Sequence, residues 1–181
     1  MRPWITLPTL LLALPLAAQA PEPNSIGVQA RLSLPGGNLP DATGSRNAGI
    51  GASLQAELHF ESVLSLRLLM GADDWRPKGA TQNRAVQAYH VGIDVVYFLR
   101  DEGRDYVQGP YVMAGLAGYT WAIGADAQSR TTPLRSTKAC VDVGFGYRLN
   151  PHFDVELKVL AGKVEPNFTA NTTSLGITYR F

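Results

Sequence analysis

From Ser25 onward the chain alternates apolar and polar positions with a period of two, the mark of strands that each carry one apolar face. The first run, Ser25 to Leu34, sets Ile26, Val28, Ala30, Leu32 and Leu34 against Gly27, Gln29, Arg31 and Ser33. The alternation returns over Gly49 to His59, Leu64 to Asp73, Val86 to Phe98, Lys138 to Arg148, Phe153 to Gly162 and Thr172 to Phe181. One further run, Pro110 to Trp121, is apolar or small on both faces. There Tyr111, Met113, Gly115, Ala117, Tyr119 and Trp121 are expected to point outward, although the reverse parity also satisfies the pattern.

Turn formers separate these runs. The stretches 35–46, 74–84, 122–136 and 164–171 read as longer loops, while Phe60 to Ser62 and Leu149 to His152 read as tight reversals. Arg100 to Asp105 is a charged connector that breaks the long–short rhythm. The last run places Leu175, Ile177, Tyr179 and Phe181 on one face and ends on an aromatic residue. A strand that stops in this way needs a partner on its open edge, and the first strand of the same chain is the simplest one. The pattern therefore predicts an all-β fold, an eight-stranded antiparallel up-and-down barrel.

Alternation alone does not say whether the apolar face points out into lipid or in toward a soluble core. The aromatic residues favour lipid, because they gather near strand ends as two girdles. Phe60, Tyr97, Tyr111, Tyr147 and Phe153 fall toward the end that carries both termini, and Trp75, Tyr89, Trp121 and Phe168 toward the other. The apolar face between them carries no charge. The opposite face then lines the lumen, which receives Arg31, Glu57, Arg67, Asp94, Lys138, Asp142, Arg148, Asp154, Glu156, Lys158 and Arg180. An eight-stranded barrel is just wide enough for its side chains to fill, so these charges are expected to pair across strands into a self-neutralising plug. The prediction becomes a transmembrane barrel.

The start of the chain fits a cleavable signal peptide over residues 1–20, with Arg2, an apolar run from Leu7 to Ala18, and Ala18-Gln19-Ala20 as a small-x-small cleavage site. The barrel domain is then residues 21–181. Loss of Arg2 brings the 16 basic residues level with the 15 acidic ones, and a neutral chain argues against nucleic acid as a partner. Cys140 is the single cysteine, so no intramolecular disulfide and no thiol-rich metal site is expected. His59, His90 and His152 form no ligand-spaced cluster. Ser53, Glu57 and His59 share one face, as do His90 and Asp94, but residues four apart on a strand lie about 13 Å apart, too far for direct proton transfer. No cofactor, metal or catalytic residue is expected.

The run Pro110 to Tyr119 and the ending Leu175 to Phe181, together with the pattern over 25–181, resemble the small eight-stranded outer-membrane barrels of the OmpA and OmpX type. The resemblance implies export to the bacterial outer membrane, a monomeric barrel among lipid and lipopolysaccharide, and a terminal strand whose Tyr179 and Phe181 are read by the assembly machinery. It implies a non-enzymatic structural or surface-interaction role. The alternatives are a narrow porin-like channel and a lipid A-modifying barrel enzyme, although the His-x-Ser-Asn signature of the deacylase barrels is missing at His90, which Val91 and Gly92 follow. Asp74 to Gly79, with Trp75, Arg76 and Lys78, reads first as an interface anchor with solvated charges and second as a candidate contact for lipopolysaccharide phosphates.

Overall fold

A computed structural model describes residues 24–43, 46–60, 63–76, 85–99, 108–124 and 134–181. The expected signal peptide, the charged connector 100–105 and the tips of the second and third long loops lie outside these residues, so the candidate contact at Lys78 does too. Eight strands close one barrel in sequence order: β1 (Ser25–Gly37), β2 (Gly49–His59), β3 (Leu64–Trp75), β4 (Val86–Phe98), β5 (Gly109–Ile123), β6 (Leu134–Asn150), β7 (Phe153–Glu165) and β8 (Phe168–Arg180). Every neighbour is antiparallel, and β8 closes on β1 from Gly27↔Arg180 to Gly37↔Ala170. The terminal aromatic continues that seam, because the Phe181 N–H donates to the Ile26 carbonyl at 2.9 Å.

Two connections differ from the pattern. Gly37, at φ 61°, ends β1 and admits a short helix, α1 (Leu39–Thr43), inside the first loop. Between β7 and β8 the structure shows a two-residue turn at Pro166 and Asn167, not the longer loop expected over 164–171. The Thr and Asn residues there pair as strand, Ala161 with Asn171 and Lys163 with Thr169.

The apolar faces of β1–β4 and β6–β8 point outward as the alternation predicts, leaving Ile26, Leu32, Leu54, Val91, Val143 and Ile177 all more than half exposed. β5 has the opposite parity to the expectation. Tyr111, Met113, Ala117, Tyr119 and Trp121 are buried in the lumen, and Val112 and Leu116 face out. The cause is volume. Inward glycines on neighbouring strands leave space that only large β5 side chains fill: a Cβ at Gly146 would fall inside the Tyr111 ring, and one at Gly144 would crowd Met113 at 3.1 Å.

The girdle is corrected accordingly. Phe60, Tyr89, Tyr97, Tyr147 and Phe153 are exposed on the outer surface, but Trp75, Tyr111 and Trp121 are buried inside, and Phe168 packs against the interior cluster. Trp75 and Trp121 are the only tryptophans after residue 24. Brominated acyl chains should therefore quench the tryptophan emission of the refolded protein only weakly. Quenching as strong as that of a tryptophan on the lipid face would restore the outward reading.

Candidate functional site

The lumen is layered along the barrel axis. At the end away from the termini, Leu39 of α1 joins Trp75, Val86, Trp121, Ile123 and Val164 in one buried apolar cluster. The rings run inward as a stack, Trp75 to Trp121 at 5.9 Å, Trp121 to Tyr119 at 5.5 Å and Tyr119 to His90 at 4.8 Å between centroids. At the opposite end a smaller cluster of Val96, Phe98, Tyr111 and Met113 lies beside the deepest charges. The Arg148 guanidinium sits 4.6 Å from the Phe98 ring centroid, and that of Arg67 lies 5.5 Å from the Tyr111 centroid.

Between these clusters the charges fall into three groups. Arg67 is fully buried and donates to Glu57 at 3.0 and 3.1 Å and to Glu156 at 2.7 Å. Glu57 also receives Arg148 at 2.7 Å and Arg180 at 2.8 Å, and Asp154 receives Arg148 at 2.9 Å and is paired with Arg180. Three guanidinium groups thus meet three carboxylates. Nearer the far end, Arg31 grips Asp73 through two bonds of 2.7 Å and touches the His90 ring. In the middle, Lys158 reaches Asp94 at 2.6 Å and Asp142 at 3.3 Å, so one ammonium serves two carboxylates.

Ten of the eleven charges assigned to the lumen by alternation lie there; the exception is Lys138. Lys138 shares the inward parity of Cys140 but stands on the rim, exposed, because β6 continues past the end of its ladder with β7. Asp73 was legible on the polar face of β3 yet absent from the charge list, and it is the partner that Arg31 needs. Cys140 is buried, with its sulfur over Gly162.

A chain of Ser65, His59 and Glu57 has the order of a hydrolytic triad, with Ser65 Oγ 2.6 Å from His59 Nδ1 and Glu57 Oε1 3.1 Å from His59 Nε2. Sequence spacing missed it, since Ser65 arrives from the neighbouring strand opposite His59. Its chemistry is unfavourable. Glu57 is already neutralised by three guanidinium groups, which weakens its support for an imidazolium, and Ser65 is 1% exposed, leaving no approach for an ester. Among the described residues no group of three or more His, Cys, Asp or Glu side chains is placed to hold a metal ion.

The proposed contact on the second loop is also corrected. Trp75 is interior, and Arg76 is a solvent-exposed residue bonded to Asp74 at 3.0 Å.

The family model for the outer membrane protein beta-barrel domain matches residues 6–181. No curated protein matches the chain in sequence. Among solved structures, the attachment invasion locus protein Ail of Yersinia pestis is similar at 15% identity and a TM-score of 0.61, over 87% of this chain and 97% of that one. The N-terminal β-barrel domain of Pseudomonas aeruginosa OprF follows at 15% identity and a TM-score of 0.56, over 88% and 98%. Neisserial surface protein A is similar at 17% identity and a TM-score of 0.55, again over 88% and 98%. Closed topology, an outward apolar wall and the family match agree: the chain belongs to the outer membrane protein beta-barrel domain family and resides in the bacterial outer membrane.

Proposed function

We propose that the protein is a closed, non-enzymatic barrel that stabilises the envelope and meets lipopolysaccharide at its extracellular rim, with a lumen that does not conduct. The observation that carries this reading is Arg67, fully buried and held by Glu57 and Glu156 between an apolar cluster at either end of the lumen. Opening a path would strand one of these charges without a partner, a penalty of several kcal/mol per ion in a water-poor interior. The even strand number puts both termini on the periplasmic side, where Tyr179 and Phe181 stand at the end of β8 as the segment read by the assembly machinery. Exposed Phe181 suits that role.

The narrow-channel alternative has one observation in its favour. Lys158 leaves two carboxylates with a single positive charge, and Asp94 Oδ1 is buried without a hydrogen bond, a local excess of negative charge that would attract cations.

Deletion of the gene tests the functional reading. The expected result is greater sensitivity to detergents and bulky antibiotics, restored by the wild-type chain, with lipid A of unchanged mass. An altered lipid A in an overexpressing strain would instead establish an enzyme.

A further inference from the structure

The middle of the lumen is one positive charge short. Arg67, Arg148 and Arg180 balance Glu57, Asp154 and Glu156, and Arg31 balances Asp73, but Lys158 alone answers both Asp94 and Asp142. The two aspartates come from β4 and β6, which flank β5, and the position between them in register is Gly115. With no side chain there, both carboxylates lean over the glycine. A Cβ at Gly115 would collide with Asp94 Oδ1 and lie 3.0 Å from Asp142 Oδ1, so the two oxygens converge on one point. Asp94 is fully buried and Asp142 is 3% exposed, and neither of these oxygens has a hydrogen-bond partner among the described residues. Lys158 bonds the other oxygen of Asp94 at 2.6 Å and stands 3.3 Å from Asp142 Oδ1 without the geometry of a hydrogen bond.

Among the described residues no neighbouring group supplies the missing charge. On β3, Arg67 stands opposite Asp94 in register, yet its guanidinium is taken up by Glu57 and by Glu156 of β7. On β4, His90 shares the inward face with Asp94, but its ring nitrogens face Arg31 of β1 at 3.1 and 3.3 Å, and a guanidinium only donates, so the ring is neutral. The inward neighbours on β5 and β6 are Tyr119 and Cys140, which bring no positive charge, and β8 presents Ser174 opposite Lys158. Two carboxylates converging in a water-poor interior do not both ionise. We infer that Asp94 and Asp142 hold one proton between them, a carboxylic acid hydrogen-bonded to a carboxylate across Gly115, with Lys158 as the counter-charge. The proton completes the charge balance and gives both oxygens a partner. It also cancels the negative excess that would draw cations into the lumen, and the site stands whether or not the barrel meets lipopolysaccharide.

The full mature chain, refolded in detergent, gives the test. Its infrared spectrum at neutral pH should contain a carboxylic-acid C=O band that shifts when the chain is refolded in heavy water and is lost in both Asp94→Asn and Asp142→Asn. Asp142→Asn leaves Lys158 with one carboxylate and turns an amide donor toward Asp94, so this variant should fold. A second readout is stability against pH. Above the range in which free aspartates titrate, about pH 4, the folded barrel holds one proton more than the unfolded chain, so stability falls as pH rises. The folding equilibrium constant of the wild type should fall about tenfold more per pH unit than that of Asp142→Asn, until the proton leaves the folded barrel. A spectrum with no acid band, both carboxylates being ionised and bridged by water, would overturn the inference, as would equal pH slopes for the two proteins. So would a wild-type unfolding midpoint that rises when sodium chloride replaces choline chloride while that of Asp142→Asn does not, which would put a metal cation in the place of the proton.

Discussion

Arg67→Met lowers the unfolding free energy of the refolded barrel by about 3–5 kcal/mol, because it leaves Glu57 and Glu156 buried with too little positive charge. Urea titration, followed by the loss of the faster-migrating unheated band on a gel, measures it. Arg67→Lys recovers only part of the loss. The planar guanidinium of Arg67 serves both carboxylates at 3.0 and 2.7 Å, a geometry that one ammonium on a flexible stem reproduces poorly. Combining Arg67→Met with Glu57→Gln and Glu156→Gln should return much of the stability, since the cost lies in unpaired charge more than in lost contacts. A loss below about 1 kcal/mol for the single variant would mean that water screens the cluster, as it does surface pairs.

Removal of Tyr179, Arg180 and Phe181 abolishes folding altogether. It deletes one of the cations on Asp154, one of three on Glu57, and the main-chain bond from Phe181 to Ile26 that continues the closing seam. It also removes the rings of Tyr179 and Phe181, whose centroids lie 5.2 Å apart, with Phe153 5.1 Å from Tyr179. The truncated chain should show no difference between unheated and boiled migration. Tyr179→Ala with Phe181→Ala separates closure from assembly. This variant keeps Arg180 and should refold in detergent, while the amount of assembled barrel in cells falls. Normal refolding of the truncated chain would contradict the role given to Arg180. Normal assembly of the alanine double would remove the signal from the terminal aromatics.

The fold was legible because seven of the eight strands carry an alternation whose outward face is apolar, and a single charged residue fixes the parity of a strand. Arg67 and Asp94 have no tolerable place in lipid, so β3 and β4 could face only one way. β5 carries no charge at all. Its parity depends on which side offers space for Tyr111 and Met113, and that space comes from Gly146 and Gly144, which sequence places on another strand. The misassigned girdle residues follow from this, since an aromatic near a strand end reads the same whether it anchors to an interface or caps a lumen. Which charge meets which was legible only in part. Arg148 and Asp154 face each other across a tight turn, whereas Arg67 reaches Glu156 across the lumen, where no register predicts it. Lys138 looked interior because parity assumes a continuous ladder, and the ladder with β7 ends at Cys140.

Single-channel recording in planar bilayers tests the closed lumen most directly, using protein whose unheated band migrates faster than its boiled form so that the barrel is known to be folded. The filled interior proposed here predicts a flat current with no discrete steps at either polarity, whatever the salt. Reproducible unit steps that scale with cation concentration would contradict it and make the Asp94–Asp142–Lys158 group the start of an ion path.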